Sequence, residues 1–372
     1  MHWPLPPSRV VWMNDVHETR RQAVWWALLG QAPEAAGFLV TSLVNIRYLT
    51  GFSGSNAALL LQPSGALLCT DGRYVIQAGE QCPDLRLIVD RASASALCRV
   101  WGATAVGPLA VESDHVSVAA LRGLQGMLAE VALEVSGVVE GCRAIKDDHE
   151  IAQIERACSI SDLALHDILA SVHVGDSERQ IARRLEAAMY HRGADEVSFA
   201  TIIAAGPHSA KPHHEPTDRP IERGDLLLMD FGAAVSGYHA DMTRTFVVGE
   251  PTGWQREIHG VVAHAHRAGC AAAQAGTPLA EVDGAARSVV AEAGFATCFD
   301  HGLGHGVGLQ IHEAPFLNPR SEGRLPAGST VTVEPGIYLP GRGGVRIEDI
   351  VVVSEGRSRP LTSSGRDLMV LG

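Results

Sequence analysis

Two stretches in the second half of the chain read as copies of one pattern: Arg223-Gly-Asp-Leu-Leu-Leu-Met-Asp-Phe-Gly232 and Ala327-Gly-Ser-Thr-Val-Thr-Val-Glu-Pro-Gly336. Each runs from a glycine turn through a strand-length apolar or β-branched segment to a carboxylate and a closing glycine. One interval separates Gly224 from Gly328, Asp230 from Glu334 and Gly232 from Gly336. Upstream, Gly175-Asp-Ser-Glu-Arg-Gln180 and Gly276-Thr-Pro-Leu-Ala280 each punctuate a helix pair. Ser177 and Gln180 have capping-box spacing, and Pro278 suits a first helical position. The second helix of each pair closes on a glycine, Gly193 and Gly294, again at matched offsets. The repeat predicts two copies of helix, helix, strand and β-hairpin facing each other across a pseudo-twofold axis. The fold class expected is α/β (α+β).

Working outward, charge density rises at Arg143-Ala-Ile-Lys-Asp-Asp-His-Glu150, which opens a helix with Ile151, Ile154, Ala157, Ile160 and Leu163 on one side. A boundary near residue 143 divides the chain into domains 1–143 and 144–372, and a length of 372 residues suits two domains. Residues 38–90 alternate short apolar runs with Gly, Pro, Ser, Asn and Asp and read as strands joined by tight turns. Residues 117–135 read as helical around Leu121, Leu124, Met127 and Leu128, with a short strand near Leu133–Val139.

Composition narrows the class of function. At 46% hydrophobic and 19% charged residues, most of the chain can bury a core rather than stay disordered. A net charge of −12, from 30 basic and 42 acidic residues, argues against a general nucleic-acid binder. The 7 Cys are odd in number and never form a CxxC pair, which suits reduced thiols in a cytoplasmic protein. The start, MHWPLPPSRVVWMNDVHETRR, lacks a basic segment followed by an apolar run, and no stretch of about 18 apolar residues occurs, so neither secretion nor membrane insertion is expected.

The chemistry lies in the hairpins. Along a strand, side chains alternate faces. Leu226, Leu228 and Asp230 share one face, as do Asp241, Thr243 and Thr245 on the return strand. Thr332 and Glu334 share one in the second copy, followed by Arg346, Glu348 and Ile350. Four carboxylates within apolar, β-branched runs are costly to bury unpaired, and converging they would repel one another unless a multivalent cation neutralised them. In His301-Gly-Leu-Gly-His-Gly-Val-Gly308, His305 sits among small residues that permit close approach. The segment lacks the third glycine of a dinucleotide fingerprint and the glutamate of a zincin helix. Asp230-Phe-Gly232 imitates a kinase motif without its companions. An oxygen-rich set with one imidazole suits Mn²⁺, Fe²⁺ or Co²⁺ at least as well as Zn²⁺. Four carboxylates fit two ions, roughly 3.5–4 Å apart, better than one.

These segments resemble the metallopeptidases of the pita-bread fold, which include aminopeptidase P, prolidase and methionine aminopeptidase. The matching segments are Met229-Asp-Phe-Gly232, Tyr238-His-Ala-Asp-Met-Thr-Arg-Thr-Phe246, Gly302-Leu-Gly-His305, Val333-Glu-Pro-Gly-Ile-Tyr338 and Val345-Arg-Ile-Glu-Asp349. The resemblance implies five metal ligands: Asp230, Asp241, His305, Glu334 and Glu348. By the same resemblance, Asp241 and Glu348 bridge two divalent ions, Asp230 holds one, and His305 and Glu334 hold the other. Mn²⁺ is the first expectation, with Co²⁺, Fe²⁺ or Zn²⁺ possible.

Ala205-Gly-Pro-His-Ser-Ala-Lys-Pro-His-His-Glu-Pro-Thr-Asp-Arg219 resembles the loop of the proline-specific branch that brings one histidine to the site. That histidine maps to His213, with His214 pointing away; His208 stands where relatives commonly have Asn. His312 matches a second substrate-contacting histidine, and His301 one lining the pocket. Asn45-Ile-Arg-Tyr-Leu-Thr-Gly-Phe52 and Thr70-Asp-Gly-Arg-Tyr74 resemble the branch's N-terminal creatinase/prolidase-like domain, which in the family supports a homodimer and narrows the cleft to short peptides. The implied activity is hydrolysis of the Xaa-Pro bond of short proline-containing peptides, as a dipeptidase or an aminopeptidase. A metal-bridging hydroxide would attack, Glu334 would move the proton, and His213 and His312 would contact the substrate. His301, Arg346 and Tyr338 would complete the substrate side, Arg346 orienting Asp241 or an acceptor near the tyrosine. The alternatives are a hydrolase of a non-peptide amide or N-acyl amino acid on the same fold, and a non-catalytic pita-bread binding module.

Overall fold

A capping box opens the larger half of the protein. Asp147 accepts from the Glu150 amide while Glu150 accepts from the Asp147 amide, which satisfies two of the free N–H groups at the start of the helix Asp148–Leu169. The next helix, Glu178–His191, opens on the box formed by Ser177 and Gln180, as the spacing predicts. Its counterpart in the second copy, Leu279–Glu292, takes Pro278 as its cap, one position earlier than expected. Both second helices are followed by a glycine at positive φ, Gly193 and Gly294, the backbone state in which a Cβ is strained.

The computed structural model describes residues 16–104, 107–128, 130 and 132–372; the stretch 1–15, on which the expected absence of a signal segment rests, lies outside them. Among the described residues, no helix is long and apolar enough to cross a membrane. The chain divides into two compact units, Met1–Arg143 and Ala144–Gly372.

The first unit is built on a six-stranded mixed sheet. Its strands run in the order Arg86–Val89, Gly65–Thr70, Ala57–Gln62, Gly37–Val40, Leu109–Glu112 and Leu133–Val135. Leu39, Ala58, Leu60, Leu97, Trp101 and Val111 pack its core. Three local expectations fail here, one of them at Val75–Gln81, a helix inside the stretch read as strands and turns. Leu43–Thr50 is a helix with Ser42 at its N-cap and Gly51 in the left-handed conformation after it, and Val138–Arg143 is a helix rather than the tail of a strand. In each case a short apolar run fits strand and helix alike, and the flanking residue decides between them. The helix expected around Leu121 ends at Gln125, before Met127 and Leu128.

The second unit holds both copies of the repeat. In the first, two helices precede a four-stranded sheet ordered Val370–Leu371, Met242–Val248, Leu226–Phe231, Ile202–Ala205. In the second, the helices Gly253–Ala272 and Leu279–Glu292 precede a five-stranded sheet ordered Glu313–Leu317, Gly304–Gly306, Thr330–Val333, Asp349–Val352, Arg359–Pro360. Both central hairpins are antiparallel: Thr243 faces Asp230, and Val333 faces Asp349. The helix Asp148–Leu169 buries Ile154, Ala157, Ile160, Ala164 and Leu165, whereas Leu163, expected on the same side, is 44% exposed. A core of Val247, Ile258, Val262, Val282, Val331, Val333 and Val351 lies behind the hairpins and fixes their inner face.

Candidate metal centre

Three of the four carboxylates stand at interruptions of strands rather than within them. Asp230 lies in Leu226–Phe231, but Asp241 immediately precedes Met242–Val248, Glu334 follows Thr330–Val333, and Glu348 precedes Asp349–Val352. Pro335, which has no amide proton, holds the second hairpin open after Glu334. The openings let the four side chains turn to one point instead of alternating up and down a ladder. The glycines around His305 serve a related purpose. A Cβ on Gly304 would lie 2.0 Å from the Thr332 carbonyl oxygen, so glycine there allows two backbones to touch.

All five candidate ligands line one cavity of about 550 Å³. Asp241, His305 and Glu348 are buried, with one potential ligand atom of each within 4.8 Å of the others. His305 places Nδ1 3.1 Å from the Gly306 carbonyl oxygen. A carbonyl only accepts, so Nδ1 carries the proton and Nε2 presents its lone pair. That lone pair faces Asp241 at 3.6 Å and Glu334 at 3.5 Å. Lone pair and carboxylates repel one another at this range unless a cation lies among them.

The crowding sets the charges. Burial first, then repulsion by Glu348, Asp230 and Glu334, pushes the Asp241 carboxyl far above the usual carboxylate range. Burial, then Glu334 and Asp230, does the same to Glu348. Burial carries Glu334 up to about 8, opposed by Arg346 and reinforced by Asp230. Burial drops His305 to about 4, leaving a neutral imidazole able to ligate. Among the described residues, buried Asp230 Oδ1 has no hydrogen-bond partner, an orphaned acceptor within a cluster of negative charge. The donor set, the lone pair of His305 and this orphan all fit divalent cations.

Arg346 supplies the cluster's own positive charge. Of the two acceptors expected for it, Asp241 or one near the tyrosine, it takes the Tyr338 hydroxyl, at 2.8 Å; its carboxylate partner is Asp230, at 2.6 Å across the two hairpins. It also donates to Thr243 Oγ1 at 3.0 Å. Burial opposes its charge, but Tyr338, Asp230, Glu334 and Glu348 outweigh that and keep it protonated. Tyr338 is not among the cavity-lining residues; its hydroxyl bridges Arg346 to His301 Nε2 at 3.0 Å.

The outer histidines frame the cavity. His213, His301 and His312 all line it. His312 stands edge-on to His305 with ring centroids 4.4 Å apart. His214 is buried and bonded to Glu178 at 2.9 Å, yet it too borders the cavity beside His213. Sequence reasoning missed Phe199, Ile311 and Phe316, which form apolar walls, and Thr243, which donates to Glu348 at 2.6 Å. Thr243 was within reach, since it alternates onto the face of Asp241; Phe199 and Ile311 sit in loops and Phe316 in the strand Glu313–Leu317, none of them carrying a chemical signal.

Comparison with known proteins places this geometry. Residues 152–355 match metallopeptidase family M24, and residues 30–145 match the creatinase/prolidase N-terminal domain. An uncharacterised peptidase of Bacillus subtilis is 38% identical over 340 residues, 90% of this chain and 96% of its own length. Among solved structures, an Xaa-Pro dipeptidase from Bacillus anthracis superposes with a TM-score of 0.91 at 34% identity, over 95% of this chain and all of that one (100%). An X-Pro aminopeptidase from Thermotoga maritima gives 0.86 at 33% identity, over 94% of this chain and 99% of that one. The α/β architecture therefore carries a creatinase-like N-terminal domain and a pita-bread domain, and the chain belongs to metallopeptidase family M24.

Proposed function

We propose that the protein is an Xaa-Pro hydrolase acting on dipeptides or short peptides with two divalent ions, Mn²⁺ in first place. The observation that carries this is the convergence of Asp230, Asp241, His305, Glu334 and Glu348 in one cavity whose walls present His213, His301 and His312. The likeness to an Xaa-Pro dipeptidase and an X-Pro aminopeptidase supports the choice of bond. An oxygen-rich ligand set with one imidazole supports the choice of metal. When bound, such ions supply Lewis acidity and a nucleophile from water near neutral pH.

The chain's own residues do the rest. Asp230, Asp241, His305, Glu334 and Glu348 would hold the ions between them. Glu334, at the mouth of the opened hairpin, accepts the proton of the attacking water and passes it to the prolyl nitrogen as that leaves. His213 and His312 donate to the scissile carbonyl oxygen as charge gathers on it. The acidic cluster beside Asp230 receives the free amino group. The imide nitrogen of proline carries no proton, so selectivity rests on the fit of the ring against the cavity's apolar walls and on protonation of the leaving nitrogen.

The test is hydrolysis of Xaa-Pro, Xaa-Pro-Yaa and Xaa-Ala by the Mn²⁺-loaded protein. Release of proline from the first, abolished by EDTA and by Glu334→Gln, is expected. Undiminished activity after EDTA treatment rejects the proposal, and equal cleavage of Xaa-Ala rejects its specificity.

A further inference from the structure

Beneath the loop that carries His213 lies a carboxylate with more hydrogen bonds than any in the metal centre. Glu178, fully buried at the first turn of Glu178–His191, accepts from five donors. Oε1 takes the Ala205 amide at 2.8 Å and His208 Nδ1 at 2.9 Å. Oε2 takes His214 Nε2 at 2.9 Å, the Thr217 amide at 3.0 Å and Thr217 Oγ1 at 2.7 Å. The donors lie at the beginning, the middle and the end of one segment, 205–217. An ionised carboxylate only accepts, so it also fixes the proton on Nδ1 of His208 and on Nε2 of His214.

His213 lies between two held neighbours. His214 is tied to Glu178, and the Pro212 carbonyl accepts from Arg346 at 3.3 Å. Pro212 and His213 form a turn between these two ties; His214 is buried on Glu178 while His213 stays exposed, and both histidines border the cavity. Glu178, His208 and His214 also have the ligand types of a metal site, each with one such atom within 4.8 Å of the others. Here, however, five hydrogen bonds already saturate the carboxylate, and the cluster needs no ion.

We infer that Glu178 is a positioning residue of the reaction: it clamps segment 205–217 and thereby holds His213 at the cavity. The inference rests on the role proposed above for His213. Glu178→Gln keeps the shape but turns an amide –NH₂ against donors, breaking part of the clamp. Its kcat on Xaa-Pro is expected to fall between about tenfold and a hundredfold, the scale of a misplaced catalytic contact, with metal content unchanged. In a His213→Ala background the same substitution should change kcat less than twofold, whereas a merely structural defect would multiply with it. Thr217→Val, which removes one donor, should act in the same direction and also lose its effect in that background. Hydrogen–deuterium exchange gives a readout independent of turnover: amides 205–217 should exchange faster in Glu178→Gln while the helix Asp148–Leu169 stays protected.

Three outcomes overturn the clamp. They are wild-type kcat in Glu178→Gln while His213→Ala is impaired, unchanged exchange of the segment, and loss of one bound metal ion in Glu178→Gln. If His213→Ala keeps full activity, the role of His213 falls, and the exchange measurement alone decides the clamp.

Discussion

Replacing Arg346 by Met tests the electrostatic account of the centre most sharply. The guanidinium is 4% exposed and its partner Asp230 11%. Methionine fills similar volume, so the change removes charge and hydrogen bonds rather than packing. Asp230 Oδ1 already has no partner among the described residues, and Oδ2 would lose the one it has. Breaking a buried pair from one side costs about 3–5 kcal/mol, because the remaining charge stays uncompensated. For a unit of this size each kcal/mol moves Tm by about 2–4 °C, which gives a fall of about 6–20 °C in the metal-free protein. With Mn²⁺ bound, Asp230 regains a cation. If the freed Asp230 makes the variant bind Mn²⁺ a hundredfold more tightly than the wild type, saturating metal recovers about 2.7 kcal/mol of the loss. The assay is urea unfolding followed by tryptophan fluorescence, for both proteins, in EDTA and in Mn²⁺. The expected result is a large deficit in EDTA that shrinks in Mn²⁺. A deficit below about 1 kcal/mol in EDTA, or one equally large in both conditions, would refute the claim that Arg346 and the ions neutralise the same charge.

Other outcomes follow from single features. Glu334→Gln should lower kcat by about 10²–10⁴, the usual worth of a positioned acid–base group, as measured on Xaa-Pro at saturating Mn²⁺. Ser177→Ala removes a capping box and should cost about 1 kcal/mol by denaturant midpoint, with kcat at 25 °C unaltered. Burial alone would raise the Glu178 carboxyl, but hydrogen bonds from Thr217, His214 and Ala205 outweigh it and hold it down to about 2. A carboxylate depressed in the folded state contributes stability above its unfolded pKa of about 4.3. That contribution is lost as pH falls toward 2, so exchange protection of 205–217 should fade across that window. Burial pushes the Cys270 thiol up to about 12 and Cys158 well above its ordinary value. A disulfide reagent at pH 8 should therefore leave both unmodified in the folded protein and label them in urea.

The metal centre was legible because its signals are chemical and repeated. A carboxylate in a β-branched run is anomalous once; at matched places in two copies it points to a cation. The helix caps were legible for a similar reason, since Ser177 and Gln180 act within one turn. What escaped was decided by contacts distant in sequence. Leu43–Thr50 has the composition of a strand, and its helix rests on the left-handed Gly51 that closes it and on burial of Ile46 and Leu49. Arg346 was placed on the correct face, but alternation gives sides and not distances, so the choice of Asp230 over Asp241 needed the hairpins in space. Glu178, as an acid in the first turn of a helix, has the signature of an exposed residue answering the helix dipole. Nothing local says that five donors from residues 205–217 will cover it.

The contrast between Glu178 and the centre gives a physical criterion for telling the two kinds of buried carboxylate apart. Both clusters combine acids with histidine, and both have ligand atoms close enough to share an ion. Around Glu178, donors exceed one per lone-pair direction, and they hold its carboxyl down to about 2 against the penalty of burial. Around Asp241 and Glu348, other carboxylates come first after burial and drive the carboxyls upward, while Asp230 leaves one oxygen unmet among the described residues. A fold can bury negative charge by surrounding it with N–H and O–H groups or by leaving room for a cation. The first solution rigidifies a loop. The second leaves an electrostatic deficit that only an ion removes, and in this protein that deficit sits among the cavity's outer histidines.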